Sequence, residues 1–569
     1  MSNRSVYSRP VLALLLAASL VYAIIWYVSR SKLIFTDEVV FAEDFARIAA
    51  GNWPAALIPH PPLYILLGGW AVRIFGYNLP ALRLVGGFSF LLTLWLLPQV
   101  VQRLMSGAQT QRAALIVLAI WAVHPLALQG SLLLDIDNTL FTPAMLVFIL
   151  ALAQRSPATG RYALVIALAF ALMLWCKLLP GSLFITAAAL FVAVWVRRLR
   201  VVLIGLALGA ALFAITLWLF ASLTGFPLTV FTATFSRVAA PTSGGSSRLL
   251  SRGLMGGGIT ALWISLPFLA LYGVAVAQRV LFILRGLQGR TSSLLSAVAV
   301  LVWWQDLLWL CALPSYVILS VGNDLPMGFP RYHYPFFLLM VLTTGLWLAE
   351  CSFNFDGRLV GAAVVCAIYF AIVVPDPLFP QYRLTFDTNS LAERLRFGAT
   401  SQVWGLVMPF VALLLFFLMA RLQLKRALLR TCLAFVMASW PVISVAQARA
   451  SYATIYEYGR EGGRETAAWV QQRTQSNDVV VAPKEIHFIA ERQGEFIVNL
   501  VGPKTDAAAW LGYFKTHQPA AYVLTTKEDG RYTQVTRDAR VQAWLNACYV
   551  ERISIGSYIA YARSVAHCS

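Results

Sequence analysis

The chain has 569 residues, of which 59% are hydrophobic and only 12% charged, and its mean hydropathy is +0.71. An ordinary soluble domain is nearer 25% charged, so a soluble globular enzyme, a disordered chain and a small secreted scaffold are excluded. The formal net charge of +19 fits the topology signal of a polytopic membrane protein and attraction to anionic lipid, with no nucleic-acid partner.

Crossing a bilayer takes about 20 apolar residues. Candidate spans fall near 11–28, 81–101, 113–131, 138–153, 162–176, 178–196, 201–222, 256–277, 292–318, 334–349, 359–375, 402–420 and 431–447, about 13 transmembrane helices. The first run lacks a clear small-residue cleavage site and ends in an aromatic belt of Tyr22, Trp26 and Tyr27, so it reads as a retained span. Basic residues gather on alternate loops: Arg4 and Arg9, Arg103 and Arg112, Arg155 and Arg161, Arg197 with Arg198 and Arg200, Arg279 with Arg285 and Arg290, Arg358, and Arg421 with Lys425, Arg426 and Arg430. Acids gather on the others. The positive-inside rule then puts the amino terminus in the cytoplasm and the carboxyl-terminal segment outside. The expected fold is an α-helical polytopic membrane domain over 1–448 and a small periplasmic or extracellular α/β domain over 449–569.

In that last segment, 460–475 reads as an amphipathic helix, 478–482 and 521–525 as short strands, and Val541–Leu545 as helical. It contains no GxGxxG or GxxxxGK[ST], so it receives no nucleotide role. Of the seven cysteines none forms a CxxC or CxxCH. Cys548 and Cys568 pair if the segment lies in an oxidising compartment; two unpaired thiols is the other reading.

Long outside loops are expected at 29–80, 223–255 and 376–401, and chemistry is expected there. In the first, Asp37 and Glu38 precede Phe41, Phe45, Ile48 and Ala49 at helical spacing. The bland account is an interfacial helix with acids favourably placed on its dipole. The functional account is a carboxylate that takes a proton from a hydroxyl or amine. His60 stands among Pro59, Pro61 and Pro62, which hold its backbone stiff for contact with a phosphate oxygen, though a lone loop histidine is weak on its own. Asp135 and Asp137 follow the third span; acids there serve a site, face water or simply end helices, and a D-x-D pattern suits a divalent metal only beside a diphosphate-like partner. Metal dependence is left open on that ground.

Lys177 precedes Pro180 and Gly181. It either snorkels or marks a tight turn aiming an ammonium at an anion. Arg331 and Tyr332 open the tenth span, where the guanidinium fork suits a phosphate or the pair anchors the interface. Asp306, inside the ninth span, is expected to face the bundle interior. Taken together, carboxylates that activate an acceptor and cations that hold an anionic lipid phosphate make one composite site.

These residues resemble the bacterial polytopic glycosyltransferases of the GT-C type, in the broad group that holds the lipid A aminoarabinose transferases and the protein O-mannosyltransferases. The likeness rests on the acidic pair Asp37-Glu38, on Pro61-Pro62-Leu63-Tyr64, on Leu82-Arg83-Leu84 and on Lys177 before a Pro-Gly turn, in that order. The aminoarabinose transferases carry Glu-Lys-Pro-Pro where this chain reads Pro59-His60-Pro61-Pro62. The resemblance implies a polyprenyl-phosphate sugar as donor, Asp37 as base or acceptor-positioning group, and Asp135 or Asp137 as a supporting acid. The competing reading is a transporter or flippase of a lipid-linked or anionic substrate, which predicts two similar halves and balanced loops. No clear internal repeat is present, and the outside loops are the heavier ones.

Overall fold

The computed structural model describes residues 7–29, 37–55, 60–105, 109–132, 134–136, 139–154, 159–179, 181–195, 198–229, 231, 268, 271–278, 311, 334–351, 365, 430, 432–434, 436–437, 440–441, 462–475, 478–492, 494–496, 507–525, 538–549, 551–556 and 558–563. Among the described residues, eleven α-helices follow one another through the first part: α1 (Arg9–Ser29), α2 (Asp37–Ala49), α3 (Leu63–Phe75), α4 (Leu79–Leu82), α5 (Leu84–Leu104), α6 (Gln109–Val123), α7 (Pro125–Gly130), α8 (Phe141–Leu152), α9 (Thr159–Cys176), α10 (Gly181–Trp195) and α11 (Leu199–Thr224). Later comes α12 (Tyr334–Glu350), which packs along α6.

Among the described residues, α1, α5 and α11 are long and apolar enough to cross a membrane, and six shorter apolar helices accompany them. Their surfaces match that role. Leu16, Leu20 and Ile24 of α1 and Ile215, Trp218 and Leu223 of α11 are exposed, while Val11, Leu15 and Tyr22 face a continuous core shared with α5, α6 and α8. An apolar side chain left exposed at this density finds its solvent in lipid. The expected spans near 256–277, 292–318, 359–375, 402–420 and 431–447 lie wholly or largely outside the described residues, as does Asp306.

Three sequence expectations change. The stretch 113–131 is not one helix. It breaks at His124, because Pro125 has no N–H to give and disfavours helical geometry in the residue before it. His124 Nδ1 instead accepts the Ala127 N–H at 3.3 Å, capping α7. The stretch 29–80 is not a loop with one interfacial helix. It also carries α3, 13 apolar-rich residues that are too few for the spanning rule. Finally, the helix expected at 81–101 starts at Leu84, after a break at Arg83 (φ −93°, ψ 0°).

Among its described residues the carboxyl-terminal segment contains a five-stranded mixed sheet in the order β2-β1-β3-β5-β4: β1 (Val480–Ala482), β2 (Gly494–Phe496), β3 (Ala521–Thr525), β4 (Glu551–Ile555) and β5 (Tyr558–Ala562). β1 runs parallel to β2 and β3; β5 is antiparallel to β3 and β4. Successive β3 side chains face opposite ways. Ala521 and Val523 join Trp469, Val470 and Ile486 from the helices Gly463–Arg473 and Lys484–Ile489. Tyr522 and Leu524 join Trp510, Phe514 and Leu545 from the helices Ala507–His517 and Ala539–Cys548. The helices and strands expected at 460–475, 478–482, 521–525 and 541–545 are thus present, while β2, β4, β5 and two helices went unread. Cys548 is disulfide-bonded; Cys568, the partner expected from sequence, lies outside the described residues.

Candidate functional site

The chain alternates direction through α5, α6, α8 and α9. The starts of α5 and α8, the end of α6 and the α9–α10 turn therefore share one end of the bundle, and α2 and α3 lie against that end through α3's packing on α5 and α9. Glu38 is in the first turn of α2 and is 1% exposed. Its Oε1 accepts from Arg83 Nη2 at 3.1 Å and from the Leu134 backbone N–H at 3.1 Å. One carboxylate thus ties α2 to the α4–α5 junction and to the loop before α8. A buried charge is tolerable only when paired and hydrogen-bonded in this way.

Arg83 is buried in turn, and its carbonyl accepts from Trp26 Nε1 at 3.4 Å. Asp135, 5% exposed, lies in the same loop as Leu134, and the Thr139 hydroxyl donates to its carbonyl. Tyr64, the last residue of the Pro61-Pro62-Leu63-Tyr64 element, is fully buried, edge-on to Phe41 and Phe45 at ring-centroid distances of 5.2 and 5.3 Å. Its phenol lies within electrostatic reach of the Asp135 and Glu38 carboxylates and beside Thr139. The Thr139 side chain and the Asp135 backbone lie near its hydroxyl, and among the described residues no hydrogen bond of normal geometry closes on it.

The close approach of this loop to α5 depends on Gly86, where an added Cβ would collide with the Ser131 carbonyl oxygen. Ser131 Oγ is in turn 2.8 Å from Tyr22 Oη of α1. Next to the site, Tyr77 follows α3. Burial raises its phenol above the ordinary tyrosine range, and the carboxylates of Glu43 and then Glu491 push the same way.

The residues singled out from sequence fall as follows. Glu38 and Asp135 come together around Tyr64. Asp37 opens α2, but its side chain lies outside the described residues, as do Asp137, Arg331 and Tyr332 entirely. His60 is half-buried just before Pro61 and Pro62, which lead into α3. Lys177 follows α9, with its N–H donating to the Met173 carbonyl at 3.0 Å, and it is 1% exposed, so it does not snorkel outward. Among the described residues no group of three or more His, Cys, Asp and Glu could hold a metal ion.

Two members of the constellation escaped the sequence reading of chemistry, Arg83 and Tyr64. Both stood in short motifs noted for their order alone, and a lone arginine at the head of an apolar run was the available signal.

No protein-family model matches the sequence. No curated protein matches it in a sequence comparison. Solved structures do match. ArnT from Cupriavidus metallidurans bound to undecaprenyl phosphate aligns over 98% of this chain and 98% of its own, with a TM-score of 0.64 and 16% identity. The apo state of the same ArnT aligns over 97% of both chains, with a TM-score of 0.60. At that identity the likeness is one of fold: nearly the whole chain shares the helical membrane fold of this ArnT, and the GT-C resemblance holds at that level.

Proposed function

We propose that the chain is a glycosyltransferase that moves a sugar from a polyprenyl-phosphate donor to an acceptor outside the cytoplasm, a lipid, glycan or protein. The carrying observation is the buried cluster of Glu38, Arg83, Asp135 and Tyr64 at one end of a lipid-facing helical bundle. Its fold is that of an ArnT whose crystal structure holds undecaprenyl phosphate, which supports a lipid-linked donor.

In this reading Asp37 takes the proton of the acceptor hydroxyl or amine as that group attacks the sugar carbon. The bond from that carbon to the phosphate oxygen breaks, its electron pair leaves with the lipid phosphate, and the carbon is inverted. Lys177 and Arg331, with His60 and Tyr332, hold the phosphate as charge develops on it. Glu38, already engaged by two donors, holds the first turn of α2 in place, and with it the neighbouring Asp37. Asp135 or Asp137 supports the acceptor side, and a divalent metal there stays an open part of the proposal.

We place residues 1–448, with about 13 spans, in the bacterial inner membrane with the amino terminus cytoplasmic, and 449–569 in the periplasm. The disulfide at Cys548 supports an oxidising compartment for the latter.

The test uses membranes supplied with radiolabelled polyprenyl-phosphate sugars and an acceptor extract. Wild type transfers label, and Asp37→Asn transfers about 100-fold or more slowly. Transfer by the variant at the wild-type rate sinks the base assignment. Movement of the labelled lipid across proteoliposomes without transfer sinks the transferase reading in favour of a flippase.

A further inference from the structure

The carboxyl-terminal segment reaches the site at two points. Phe488, fully buried in the short helix Lys484–Ile489, belongs to the core of the membrane bundle and not to either core of its own sheet. Its ring centroid is 5.7 Å from the Arg83 guanidinium carbon. The helix that carries it packs against α2. Three residues on, Glu491 Oε1 accepts the backbone N–H of Leu79, the first residue of α4, at 3.1 Å. Glu491 has a φ of +50°, a conformation L residues adopt rarely and keep only where surroundings hold it.

Arg83 therefore has a carboxylate and an aromatic ring among its neighbours. Glu38 neutralises it, and an aromatic ring 5.7 Å away provides a cation–π contact. Glu491 fixes the backbone four residues before it. We propose that Phe488 and Glu491 are positioning residues: the carboxyl-terminal segment latches onto α4 and Arg83, and through Arg83 sets the placement of Glu38 and of the first turn of α2. This deepens the proposed function, on which its catalytic meaning rests, but the mechanical coupling is testable without any substrate.

The chain of contacts provides its own reporter. The Leu134 N–H is held by Glu38, which meets Arg83, the residue beside Phe488. Hydrogen exchange of the full-length protein in lipid nanodiscs, read on peptides covering Leu79 and Leu134, measures each link. With Phe488→Leu, an apolar side chain without a ring face, Leu134 exchanges at least about tenfold faster while the β1 and β3 amides stay protected. Glu491→Ala accelerates both Leu79 and Leu134; Glu491→Gln, which keeps an acceptor oxygen, restores both. If Phe488→Leu also loosens β1 or β3, the Glu491 pair decides alone. Faster exchange at Leu79 with Leu134 unchanged in Glu491→Ala overturns the latch.

In the transfer assay, Phe488→Leu lowers kcat with KM for the lipid-linked donor unchanged. Absence of transfer by wild type sinks the function, while an unmoved Leu134 amide sinks the latch, so the two failures are told apart.

Discussion

Glu38 Oε1 lies 3.1 Å from Arg83 Nη2, and both side chains are withdrawn from solvent. Removing one partner of a buried ion pair strands the other charge. Arg83→Met is expected to lower stability by about 3–5 kcal/mol, and Glu38→Gln with Arg83→Met to recover most of the loss. Thermal unfolding in detergent measures both. Transfer activity is expected to stay low in the double variant, because α2 has lost its tie to α5; full activity there would show the pair to be dispensable for chemistry.

Tyr64 separates packing from chemistry. Tyr64→Phe keeps the two edge-on contacts with Phe41 and Phe45 and deletes a hydroxyl that makes no hydrogen bond of normal geometry among the described residues. Stability is expected to be unchanged or to rise by about 1 kcal/mol, since a poorly satisfied buried hydroxyl is lost. A simultaneous fall in transfer, at unchanged melting temperature, is expected if the phenol meets substrate. An unchanged rate confines Tyr64 to packing.

Gly86 tests how tightly the Asp135 loop must sit on α5. Gly86→Ala drives a methyl into the backbone carbonyl of Ser131, and a backbone atom yields less easily than a flexible side-chain tip. A loss of about 1–3 kcal/mol is expected, as for overpacked cores. The Leu134 N–H, held by Glu38 across that contact, is expected to exchange faster in the same variant.

Acid acts on the carboxyl-terminal sheet through Glu551. Hydrogen bonds from Arg473, 2.6 Å away at the closest, hold its carboxyl below the usual range. A depressed carboxyl contributes stability above its unfolded pKa and loses it as pH falls through the folded one. The stability advantage of wild type over Glu551→Gln at neutral pH is therefore expected to shrink as the pH falls and to vanish below the folded pKa, as measured by denaturant unfolding followed on the sheet's near-ultraviolet signal at each pH. Both residues are exposed, so the difference is small and shrinks with salt.

The membrane character, the helical start of α2, the turn at Lys177 and several elements of the last 120 or so residues were legible because they rest on local signals: apolar run length, 3.6-residue spacing, Pro-Gly punctuation and Val-rich alternation. Asp135 was legible as a costly acid near a bilayer, and Glu38 as one of an acidic pair at a helix start. What stayed hidden depends on distant chain segments. Nothing local to Leu82-Arg83-Leu84 says that Glu38 faces it from one side and Phe488 from another. Nothing in Lys484–Ile489 distinguishes Phe488 from an ordinary core residue of its own sheet. Helix α3 was missed for a simpler reason: its 13 residues fall below the length that marks a span.

The contact between Leu79 and Glu491 bridges 412 residues. A ribosome adding 5–20 residues each second makes α4 roughly 20–80 s before it makes the glutamate that will hold it. During that interval Arg83 and Glu38 have both been made, while the ring that lies beside Arg83 does not yet exist. Completion of this end of the bundle therefore waits on late synthesis: a chain cut short before residue 488 lacks both the ring beside Arg83 and the carboxylate that holds Leu79.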